Sequence, residues 1–97
     1  MYETDYIEKI LSIEQKIKFY KKHIEFNKLK IKKYYERIDK ILKIKNYDDF
    51  DHNRILIDKL YEKIGKKNEY NTEVSELIDR YYTIIKIYKK RSKYSLG

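Results

Sequence analysis

Isoleucine and tyrosine recur at alternating steps of three and four residues through the first half of the chain. The positions are Ile10, Ile13, Ile17, Tyr20, Ile24, Ile31, Tyr34, Ile38 and Ile41, with Asn27 as the one polar interruption. This spacing keeps every member on one helical face. Sustained over more than four repeats, it is the heptad stripe of a helix that packs lengthwise against another. Thr4 stands where an N-cap belongs, and Asp5 and Glu8 suit the positive end of the helix dipole. Nothing breaks the pattern before Asn46. It predicts one helix over about residues 5–45, roughly 60 Å long at ~1.5 Å per residue.

The stretch from Lys45 to Asn53 is polar and rich in Asp and Asn, and reads as a turn plus an N-cap. A second helix is predicted over about 52–64, with Leu56, Ile57, Leu60, Tyr61 and Ile64 on one side and Gly65 as its C-cap. Residues 66–71 read as a loop. Thr72 then caps a third helix, about 72–92, with Glu73 and Glu76 in its first turn. Its buried stripe is Val74, Leu77, Ile78, Tyr81, Ile84, Ile85 and Tyr88. The expected fold is all-α: a single helical domain over 1–97, one long heptad-patterned helix followed by a two-helix hairpin.

Two helices of roughly 18 and 30 Å cannot cover both sides of one of roughly 60 Å. Leu11, Phe19, Phe26, Leu29, Tyr35 and Leu42 also lie outside the stripe. A homodimer is therefore expected, with Ile10, Ile13, Ile17, Tyr20, Ile24, Asn27 and Ile31 at its interface. Lys16, Lys21, Lys28 and Lys30 flank the stripe, so a parallel pair would oppose like charges. Antiparallel pairing, or packing against the acidic start of the third helix, relieves this.

Composition narrows the classes. With no cysteine there is no disulfide, no thiolate nucleophile and no cysteine-held zinc. No apolar run approaches the roughly 20 residues of a membrane span. The acidic start, Met1-Tyr2-Glu3-Thr4-Asp5, is no secretory signal, so a cytoplasmic location is expected, in the host cell if the chain is viral. Alanine is absent, while 20 Lys, 16 Ile and 12 Tyr dominate. This bias suits an AT-rich genome and an origin in a phage, virus or mobile element. It also supplies lysines and tyrosines independently of function.

The net charge of +8 is unevenly placed. Residues 16–33 carry eight lysines against Glu25 alone, and Lys86, Lys89, Lys90, Arg91 and Lys93 follow one another without a carboxylate. The candidate nucleic-acid-binding set is Lys18, Lys21, Lys22, Lys28, Lys32, Lys33, Lys86, Lys89, Lys90 and Arg91. Lysine tracks a sugar–phosphate backbone as a mobile point charge, whereas arginine more often reads guanine edges. With four arginines in the chain, binding should be weakly sequence-specific and strongly salt-dependent. The same lysines also suit a solvated face, the dipole at a helix C-terminus, or an acidic protein partner. Tyr34, Tyr35, Tyr81 and Tyr82 offer rings for base stacking, although Tyr34 and Tyr81 lie on apolar stripes and suit the core.

Catalytic and metal chemistry find little support. Asp49-Phe50-Asp51-His52-Asn53 matches the first half of a calcium loop, but Arg54 replaces the required glycine and Leu60 the required glutamate. Neither His23 nor His52 has a histidine one turn away. A glycine-rich phosphate loop and a serine elbow are both missing. No metal, no cofactor and no enzymatic activity are expected. Asp49, Asp51, Arg54, Leu56 and Leu60, with Lys40 before them, give the chain a resemblance to the all-helical chorismate mutases. That resemblance implies a similar three-helix architecture. The family's mid-helix arginine would fall near Leu29 to Ile31, its arginine–glutamate pair on His52-Asn53, and its late glutamine or glutamate near Lys89. The dianion clamp is thus missing, and the likeness extends to fold alone. The expected function is a small basic accessory or regulatory protein that docks a lysine-rich helical surface on nucleic acid or a nucleoprotein complex. The alternative is a protein adaptor or inhibitor, for example an anti-defence protein, binding an acidic protein surface through the long helix.

Overall fold

The computed structural model describes residues 2–44 and 50–95, and the side chains of 5–44 and 51–92. Of the turn and N-cap predicted over 45–53, residues 45–49, Asp49 among them, lie outside the described residues, whereas 50–53 already form the first turn of α2 and are no turn. The architecture is all-α and consists of two helices that pack against each other, α1 (Tyr2–Leu42) and α2 (Phe50–Ser95). The chain forms two compact units. Unit 1 joins Met1–His23 to Glu73–Gly97, and unit 2 is Ile24–Thr72.

Helix α1 follows the apolar stripe. It begins at Tyr2, so Thr4 lies inside it rather than at its cap. Ile17 and Ile38 are buried, and the other stripe positions from Ile10 to Ile41 are half-buried. At its end, Lys43 N–H donates to Asp39 O and Ile44 N–H to Ile41 O, both at 3.1 Å, tightening the last turn. Lys40 in that turn complements the negative end of the dipole, as Asp51 does the positive end of α2.

Helix α2 departs from expectation. The predicted helices 52–64 and 72–92 are one helix of 46 residues, continuous through 65–71. Gly65 has no positive φ and caps nothing. Thr72 is no N-cap, because its Oγ1 donates to Asn68 O at 3.0 Å, the backward bond of a mid-helix threonine. Thr83 makes the same bond to Asp79 O. The physical reason is phase. Leu60 and Ile64 are buried before the polar stretch, and Val74 and Ile78 after it, in step with half-buried Lys67 and Asn71. The polar stretch thus interrupts the apolar stripe without interrupting the helix, and one glycine costs only about 1 kcal/mol against alanine. The three-helix architecture implied by the chorismate mutase resemblance is therefore not the one adopted.

In each unit the two helical segments run antiparallel. Unit 1 pairs Tyr6 with Tyr88 (centroids 5.7 Å apart) and Tyr20 with Tyr81 (6.4 Å, stacked). It buries Ile17 of α1 and Val74, Ile78 and Ile85 of α2. Unit 2 has its core at Ile38, Leu60 and Ile64, with Ile31, Tyr34, Ile41 and Ile57 packed against it. Asn27 Nδ2 donates to Asn71 Oδ1 at 3.1 Å across the same seam.

The continuity of α2 has a direct test. A Cβ built on Gly65 meets nothing within 4 Å. Gly65→Ala should therefore stabilise the fold by about 0.5–1 kcal/mol through helix propensity and a less flexible unfolded chain. A thermal melt followed by circular dichroism should move up by several degrees. A downward shift would indicate a glycine cap at 65.

Candidate functional site

In an antiparallel helix pair each helix presents a row of side chains along both edges of the shared core. One edge of unit 2 is marked by Tyr35 against Tyr61, ring edge to face at 6.4 Å. The opposite edge is marked by Lys63, whose Nζ lies 5.9 Å from the centre of the Tyr34 ring on the other helix. Lys30 and Arg37 stand one turn before and one turn after Tyr34 on that same edge, Lys30 half-buried and Arg37 exposed. Lys33 and Lys40 continue outward from α1, Lys59 and Lys66 from α2, and all four are exposed.

No described carboxylate of unit 2 sits among these seven cations. By helical phase, Glu25, Asp39, Asp51 and Asp58 fall on the Tyr35–Tyr61 side, and Glu36, Glu62 and Glu69 on the outer faces. Lys66 reaches round to Glu62 at 3.4 Å, an exposed pair one turn apart and worth little. Among the described residues no ion pair crosses between the helices. The edge is therefore electropositive, with Lys63 beside the Tyr34 ring and Arg37 one turn further along α1.

Two rings share the edge with the cations. Phe26 is 54% exposed and lies under the Lys30 ammonium, 4.7 Å from Nζ to the ring centre. Tyr70 is 37% exposed. Because the segments run antiparallel, the Asn27–Asn71 bond sets Phe26 level with Thr72 and Tyr70 level with Lys28, so the two rings lie two residues, ~3 Å, apart along the seam.

The cations singled out from sequence are not brought into one site. Lys28, Lys32 and Lys33 belong to unit 2, and only Lys33 lies on the basic edge. Lys28 lies on the other side and pairs with Glu25 at 3.4 Å. Lys18, Lys21, Lys22, Lys86, Lys89, Lys90 and Arg91 belong to unit 1. There Lys21 Nζ donates to the Tyr82 hydroxyl at 2.6 Å and lies 5.2 Å from its ring centre. The same unit also holds Asp5, Glu8, Glu14, Glu73, Glu76 and Asp79, which dilute its cations. Lys9 lies over Tyr88 at 5.7 Å, and His23 against Phe19 at 4.5 Å. A shallow recess lined by Ser12, Gln15, Lys16, Phe19, Tyr20 and Tyr81 opens to solvent and contains no carboxylate.

The residues expected at a dimer interface already have an occupant. Ile10, Ile13, Ile17 and Tyr20 in unit 1, and Ile24, Asn27 and Ile31 in unit 2, lie on the face that α2 covers. The length argument for leaving that face open lapses, because α2, with 46 residues, is longer than α1, with 41. The exposed apolar residues lie elsewhere on the surface, Leu11, Phe19, Leu29 and Leu42 among them.

Sequence reasoning missed Lys30, Arg37, Lys40, Lys59, Lys63 and Lys66, because charge density along the chain does not show position around the helix. Among the described residues no group of three or more His, Asp or Glu is placed to hold a metal. No described helix is long and apolar enough to cross a membrane. Compared with protein-family profiles, curated proteins and solved structures, the chain matches none. Fold and site together define a class only, an all-α pair of helices bearing a cationic edge.

Proposed function

We propose that this is a non-enzymatic nucleic-acid-binding accessory protein that works inside the cell and lays the basic edge of unit 2 along a sugar–phosphate backbone. The observation that carries the reading is the gathering of Lys30, Lys33, Arg37, Lys40, Lys59, Lys63 and Lys66 without an intervening carboxylate. Residues flanking the core of a helix pair commonly alternate in sign and so help fix the pairing. Here they repel one another, a cost that a bound polyanion would relieve. Lysine-dominated contacts position a backbone without reading bases.

The test is a titration of a labelled oligonucleotide at rising salt. Five cations each neutralising one phosphate would give a log–log slope of roughly −3.5 on a single strand and −4.5 on a duplex. Reversing Lys33, Arg37, Lys63 and Lys66 to glutamate should abolish binding with helicity retained. Reversing Lys21, Lys22, Lys89 and Lys90 should do much less. Absence of binding at low salt overturns the reading.

A second reading, an adaptor or inhibitor acting on an acidic protein, alone or as a dimer, is favoured by Leu29 and Leu42, which are 60% and 65% exposed. In that case lysines steer the encounter and the apolar residues hold the partner.

A further inference from the structure

Resting on the nucleic-acid reading, we infer that the ligand is a single strand, and that Phe26 and Tyr70 are the rings on which its bases stack. The cations alone do not distinguish a single strand from a duplex, because both present phosphates. The aromatic residues do. Phe26 is not among the side chains packed on the unit 2 core, and more than half of its surface is open at the end of a cationic row. A phenylalanine there is of no use to a backbone whose bases are stacked inside a duplex. For a single strand it is a platform, since every base has a face that can lie on a ring. Tyr70 offers a second ring from the other helix, ~3 Å further along the seam.

The order of groups suits a strand crossing the edge. Lys30 lies directly over Phe26, and Lys33 and Arg37 follow on α1 at one-turn steps. Lys66 and Lys63 follow Tyr70 on α2, one and two turns back towards its N-terminus. A base on Phe26 would leave its phosphate within the span of the lysines beside it. Lys30 would then exchange its contact with the ring for one with a phosphate, a charge-assisted bond that an uncharged ring cannot match.

The experiment uses the full chain with labelled 20-nucleotide oligo(dT), oligo(U) and a 20-base-pair duplex, each titrated over the same series of salt concentrations from low to moderate. Both single strands should bind more tightly than the duplex. Phe26→Leu and Tyr70→Leu should each weaken single-strand binding by about 5- to 100-fold, the range for losing one stacked base. Duplex binding and the salt slope should stay unchanged. Both rings are exposed, so helicity should survive. Because the chain has no tryptophan, Phe26→Trp adds an independent readout, an emission quenched by oligo(dT) and not by duplex. Duplex binding as tight as single-strand binding, with neither leucine variant altering it, would overturn the inference while leaving the nucleic-acid reading standing. Failure to bind any of the three at low salt would overturn both.

Discussion

Asn68→Pro should destabilise the protein by about 3 kcal/mol or more, the cost of proline inside a helix. Asn68 lies three residues past Gly65, within the stretch that pattern alone assigns to a loop. In the structure it is a mid-helix residue whose carbonyl accepts the Thr72 hydroxyl. Proline there removes the bond back to Ile64 O and drives its ring against that carbonyl. Ile64 is a core residue of unit 2, so the damage is not confined to solvent. Small domains have only about 5–15 kcal/mol of net stability, so a marked drop in the urea midpoint is expected. A proline tolerated without loss would mean that residues 66–71 are a loop and α2 is two helices.

Ile38→Ala should cost about 2–5 kcal/mol. Ile38 is 2% exposed, the most deeply buried large side chain among the described residues, and it packs with Leu60 and Ile64. Truncation removes its transfer energy and leaves a void that two rigid helices close poorly. Leu29→Ala is the control, since Leu29 is 60% exposed and should change stability by no more than about 0.5 kcal/mol. The comparison, by chemical denaturation, reads which face of α1 is covered. Equal losses at both positions would show Leu29 buried against a second copy or another partner. Equal indifference would show that α2 does not cover Ile38.

The sequence makes α1 legible because its stripe is almost uninterrupted, and Ile17 and Ile38 are buried where the three-and-four spacing puts them. It conceals the unity of α2 because Gly65, Lys67 and Asn71 resemble a boundary when read locally. The contrary signal was present. Leu60 and Val74 are fourteen residues apart, and so are Ile64 and Ile78, a whole number of heptads across the supposed loop. A true loop has no reason to preserve that phase.

The candidate site was half legible for a related reason. Lys9, Lys16, His23, Lys30 and Arg37 recur every seven residues, which marks one edge of α1 before any partner helix is known. The contribution of Lys59, Lys63 and Lys66 could not be seen until α2 was known to run antiparallel beside α1. Charge density along the chain favoured Lys18, Lys21 and Lys22, which the fold distributes among acidic neighbours.

The bond between Asn27 and Asn71 works as a latch on alignment. A seam of isoleucine and tyrosine would accept a slide of seven residues with little protest. Such a slide sets Asn27 against Ile64 or Ile78, and Asn71 against Tyr34 or Tyr20. Each amide then loses its mate, which for these half-buried groups costs less than the ~1–3 kcal/mol of a fully buried one. One weak polar contact thus favours the alignment that sets Lys63 beside Tyr34 and Tyr70 within a turn of Phe26, and with it the surface the molecule has to offer.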